Sequence, residues 1–96
     1  MTMYTKPTIK FVANKTYRVV TTCDVYKNTE AKCLAVTGNK VTFNVTTEET
    51  KTGKKLEVVK ELTAIISLEE HSSCDIQTAI IAYNDINLVV YATSVV

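Results

Sequence analysis

Two glycines, one proline, one histidine and no tryptophan stand in this chain of 96 residues. Gly38 and Gly53 alone cannot build a glycine-rich phosphate cradle, which excludes the Rossmann and P-loop fingerprints. A single histidine, His71, leaves no histidine cluster for a catalytic metal. The cysteines Cys23, Cys33 and Cys74 are odd in number and widely spaced. They read as free thiols, not as a disulfide framework, and suit a reducing compartment. Long apolar runs are missing too. Ala79–Tyr83 and Leu88–Ala92 fall far short of the roughly 20 residues that span a bilayer. The opening MTMYTKPTIKF has no apolar stretch of the signal-peptide kind, so a cytoplasmic location is the expectation. The sequons at Asn14 and Asn44 carry little weight in that setting, and a threonine-rich chain forms them by accident.

What fills the chain instead is β-branched. Threonine, valine and isoleucine number 16, 13 and 7, or 36 of the 96 residues. Branching at Cβ restricts χ1 and suits the pleated, half-buried surface of a strand. An apolar fraction of 46% with 22% charged residues is that of an ordinary globular domain. The length fits one domain, residues 1–96, with a core of its own. Net charge is +1, but residues 1–47 sum to +5 and residues 48–96 to −4. Whether the basic half makes one face depends on how the halves interleave.

The clearest local unit spans residues 33–47. Val41, Phe43 and Val45 alternate with Thr42, Asn44 and Thr46, the period of a strand with one buried side. Gly38-Asn39 between two apolar segments signals a two-residue hairpin turn. That turn places Val36 opposite Val41 and Leu34 opposite Phe43. A second strand is expected over roughly Thr16–Tyr26, where Tyr17, Val19, Thr21, Cys23 and Val25 alternate. A short one is expected over Thr8–Ala13, after Pro7 and before a turn at Asn14-Lys15.

Residues 48–70 read two ways. Thr50–Lys55 looks like a polar loop. Beyond it, Val58, Val59, Leu62, Ile65 and Ile66 form one arc of a helical wheel. Leu62, Ala64, Ile66 and Leu68 equally alternate as a strand, and the β-branched Thr63, Ile65 and Ile66 favour that choice. Lys55–Glu61 stays open, with a short helix inside 55–70 as the alternative. The C-terminal block is plainer: Ile76–Tyr83 and Ile86–Thr93 pair about Asn84-Asp85, with Tyr83 against Ile86 and Ile81 against Leu88. Both strands are apolar on both faces, as strands covered on two sides are.

The chemistry-bearing residues are few. His71 and Cys74 lie in Glu69-Glu-His-Ser-Ser-Cys-Asp75, too few ligands for zinc and too little for a nucleophile with an oriented base. A polar turn is the preferred reading, and no catalytic residue, metal or cofactor is expected. Cys23 and Cys33 read as small buried hydrophobes. The paired glutamates 48/49 and 69/70 read as solvated charge. An interaction surface could gather Tyr17, Arg18, Tyr26, Lys27, Lys32 and Lys40, aromatics flanked by cations as in strand-binding β-barrels. Against it, the pI of 7.7 is low for a nucleic-acid binder, and Tyr17 falls on the apolar side of its strand. A chain apolar to its end suggests an oligomer edge made by Leu88, Val90, Tyr91, Val95 and Val96.

The expected fold is mainly β: one small antiparallel barrel or sandwich of SH3-like or OB-like size. The expected function is non-catalytic, a binding module that acts through a protein–protein surface and self-associates. Phage and mobile-element accessory or inhibitor proteins are domains of that kind. The alternatives are a nucleic-acid-binding barrel and a sequestering protein with a small-ligand pocket between subunits.

Overall fold

The computed structural model describes residues 6–23 and 26–96. Among the described residues, seven strands run β1 (Thr8–Ile9), β2 (Thr16–Val20), β3 (Glu30–Thr37), β4 (Lys40–Lys51), β5 (Lys54–Glu70), β6 (Asp75–Tyr83) and β7 (Ile86–Val95). Strands β2 to β7 close an antiparallel barrel, β7 returning to pair with β2, while β1 adds to β6 in parallel. Among the described residues there is no α-helix, and no helix is long and apolar enough to cross a membrane. The open stretch Lys55–Glu61 is strand throughout.

Alternation builds the core. Val41, Phe43 and Val45 of β4 are fully buried, as are Leu88 and Val90 of β7, and their sequence neighbours point outward. Phe11 caps the interior, meeting Tyr17 and Phe43 edge-on at centroid distances of 5.2 and 5.4 Å. Backbone donors fix that cap: the Phe11 N–H donates to Gln77 Oε1 at 2.9 Å and the Val12 N–H to the Tyr17 hydroxyl at 2.8 Å. Tyr17 and Phe43, both shut off from solvent, each stabilise the fold by about 2–3 kcal/mol through burial.

The Gly38-Asn39 turn forms as expected, with Val36 opposite Val41, but Cys33 faces Phe43 where Leu34 was expected. A bulge between Cys33 and Ala35 consumes one residue and shifts the earlier part of β3 by one position. Only Gly38 of this turn has positive φ, at 59°, the pattern of a type II′ turn. The C-terminal hairpin keeps its expected register, Tyr83 against Ile86 and Ile81 against Leu88. Strand β2 is shorter than expected, ending at Val20; Asp24 and Val25 of the expected alternation lie outside the described residues.

The polar stretch Thr50–Lys55 is no loop. Thr52 and Gly53, at φ 51° and 77°, form the two-residue turn of a hairpin in which Lys51 pairs with Lys54. Strand β3 leaves β4 at Thr46, and β6 meets β5 only from Ile66 onward. Beyond Thr47 and Val58, the two strands therefore pair, among the described residues, only with each other and project as an arm. The molecule measures 66 × 24 × 23 Å.

Candidate functional site

Of the residues expected to form one basic, aromatic surface, Arg18, Lys27 and Lys32 lie near one another, while Tyr17 and Lys40 do not join them. Tyr17 lies in the core with no exposed surface, so its ring cannot serve as a stacking platform. Tyr26 packs its ring against Tyr83 at 5.2 Å, and its hydroxyl accepts from Asn84 Nδ2 at 3.2 Å. Arg18 and Lys27 do line one shallow recess, with Asn28, Thr29 and Glu30. Across the strands, however, Arg18 faces Glu30, while Lys32 faces Thr16 and Asn44, the latter followed by Glu61. Cations and carboxylates alternate there. Lys40 stands at the β3–β4 turn, remote along both strands from Arg18 and Glu30.

The expected oligomer edge is also redistributed. Strand β7 is not an edge, because β6 and β2 bond it on both sides. Leu88 and Val90 belong to the core, and Tyr91 is half-buried. Val95 and Val96 keep exposed side chains, but their backbone is engaged: Val95 pairs with Tyr17, and the Val96 N–H donates to the Thr16 carbonyl at 2.8 Å. Barrel closure is what overturns the edge reading, and hydropathy carries no signal of which distant strand closes the circle.

The turn after β5 is structured by its own polar groups. His71 Nε2 lies 2.9 Å from Glu69 Oε1, and the His71 N–H donates to the Cys74 carbonyl at 3.0 Å. Nearby, Lys6 pairs with Asp75 at 3.1 Å and donates to the His71 carbonyl at 2.9 Å, tying the chain before β1 to this turn. Among the described residues, no group of three or more His, Cys, Asp or Glu side chains could hold a metal. Cys33 is fully buried, which pushes its thiol above the ordinary value of 9.0 against a smaller lowering by a backbone hydrogen bond at Ala35. Cys23 and Cys74 are half-buried.

What the sequence reading did not assemble is an apolar row on the outer wall. Val20 of β2 pairs with Val89 of β7, which pairs with Ile80 of β6. Ile65 of β5 follows, one step beyond the Ile66–Ala79 pair. Val20 is 51%, Ile80 59% and Ile65 63% exposed. The four side chains cross four consecutive strands on the side turned away from the core. Single exposed aliphatic residues are ordinary on protein surfaces; a continuous row on the solvent face of antiparallel strands is not, because that face is normally polar. Apolar residues on both faces of β6 and β7 were the available signal, and the closure of β7 onto β2 extends them into a row. Comparison of the chain with protein-family models, with curated proteins and with solved structures finds no match.

Proposed function

We propose that this chain is a non-catalytic binding module that works through protein surface, and that it self-associates through its outer wall. The observation that carries this reading is the row Val20–Val89–Ile80–Ile65. A row of exposed aliphatic side chains can meet the same row on another copy, and bringing the two together removes both from water. The mixed charge around Arg18 and Lys32 does not favour phosphate, since Glu30 and Glu61 lie among the cations.

Sedimentation velocity over a concentration series tests this. The wild-type chain should show a concentration-dependent oligomer, and Ile65→Lys/Ile80→Lys should shift it towards monomer with an unchanged β-sheet circular dichroism spectrum. Both side chains point away from the core, so the substitutions spare the barrel. A wild-type chain that stays monomeric at the highest attainable concentration would sink the reading, as would a double variant that associates like the wild type.

A further inference from the structure

The arm offers a second surface, of a different kind. Along Lys54–Val58, β5 has β4 on one side and, among the described residues, no other strand on the other. Its outer N–H and C=O groups form an open edge. Lys54, Leu56 and Val58 alternate with Lys55 and Glu57 along this edge, and Leu56 is 47% exposed. Glu57 sits directly opposite Glu48 of β4, a like-charge cross-strand pair that weakens a hairpin. Among the described residues, no cation makes an ion pair with either carboxylate.

We propose that this arm pairs with the arm of a second copy, β5 edge to β5 edge and antiparallel, about a two-fold axis at Leu56. A symmetric antiparallel pair must set one residue against its own copy, and the sequence of the edge selects which. Centred on Leu56, each Lys55 faces the partner's Glu57, and each Lys54 faces the partner's Val58. The two leucines meet on the axis. Each Glu57 then has a cation on the side away from Glu48, so the unfavourable pair within one arm gains compensation from the other. Moving the centre by one residue sets Lys55 against Lys55 or Glu57 against Glu57, and like charges on the axis oppose association. Moving it further towards the barrel meets the β6–β7 turn, where Lys60 Nζ donates to Asn84 Oδ1 at 3.4 Å. The interface is short, so the pairing is a weak and reversible one. It uses no residue of the outer wall and stands apart from that reading.

Charge reversal with complementation tests it. Lys55→Glu and Glu57→Lys each place like charges opposite one another in their own homodimer. Each should weaken arm-mediated dimerisation by about tenfold or more, as judged by sedimentation. With both variants carried in the Ile65→Lys/Ile80→Lys background, which removes association through the wall, an equimolar mixture restores opposite charges at both contacts, and a heterodimer should form where each alone is monomeric. Both positions are exposed in the arm, and circular dichroism checks that the barrel is intact. The proposal is overturned if both variants associate as the wild type does, or if the mixture stays monomeric. If the arm variants change nothing while Ile65→Lys/Ile80→Lys dissolves the oligomer, the wall alone carries association; the opposite pattern assigns it to the arm.

Discussion

The hydroxyls of Thr47 and Tyr83 lie 3.1 Å apart, both side chains closed off from solvent where the arm leaves the barrel. Neither oxygen has water available, so each relies on the other. Lys60 Nζ covers the Tyr83 ring at 4.8 Å from its centroid. Removing only one partner should cost more than removing both. Tyr83→Phe should destabilise the fold by about 1–3 kcal/mol, and Thr47→Val/Tyr83→Phe by clearly less than the sum of the single changes. Urea unfolding of the four proteins measures this, and strict additivity would show that the two hydroxyls do not interact.

Phe43 sits where the rings of Phe11 and Tyr17 meet, 5.4 and 6.4 Å away. Phe43→Ala should lower stability by about 3–5 kcal/mol through lost burial and the cavity left behind. Leu62, which faces Phe43 on β5, is only partly buried and cannot refill that space. A loss below about 1 kcal/mol in chemical denaturation would mean that the barrel collapses onto the gap.

The arm's turn carries a correctable strain. Thr52 holds φ at 51° beside Gly53 at 77°, and a β-branched residue resists that region. Asparagine accepts it, and Asn-Gly is the preferred pair for this two-residue turn. Thr52→Asn should therefore steady the arm by about 1 kcal/mol. Slower hydrogen exchange at the amides of residues 48–57 would show it, while exchange as fast as in the wild type would rule it out.

Cys33 gives the alkaline limb of stability a defined sign. Its buried thiol keeps its proton above the ordinary value of 9.0. From that value upward, the unfolded chain releases a proton that the native chain holds. Stability is therefore full below pH 9 and falls as pH rises through the raised native value. Denaturation between pH 8 and pH 11 should show a steeper decline for the wild type than for Cys33→Ala, and equal slopes would remove the thiol from the account. Under native conditions a thiol reagent should reach Cys23 and Cys74 well before Cys33.

The sequence was most legible where a pattern and a turn agreed. Gly38-Asn39 and Asn84-Asp85 fixed Val36 against Val41 and Tyr83 against Ile86. Legibility failed two residues before Val36, at Leu34, because nothing in the chemistry of Cys33-Leu-Ala distinguishes a bulge from a regular ladder. Strand β5 was ambiguous for a different reason. Its exposed residues alternate without a buried face until Leu62, so period alone could not separate helix from strand. Pairing to β4 decided it, and that is a tertiary fact. Tyr17 was legible as a core residue from its place in the alternation. The apolar row was not, because its members lie far apart in sequence and become neighbours only when β7 meets β2.

That same junction governs how the molecule can assemble itself in time. Tyr17 pairs with Val95, and Val20 with Val89, so the contact that completes the circle joins two strands far apart in sequence. Strands β3 to β6 all lie between the two, so this long loop must be closed before the pairing can form, and its entropy is lost with little prior reward. The local hairpins β3–β4, β4–β5 and β6–β7 can form early, each across a two-residue turn. The slow step is then the docking of β7 against β2, and until it happens both strand edges are open to other chains.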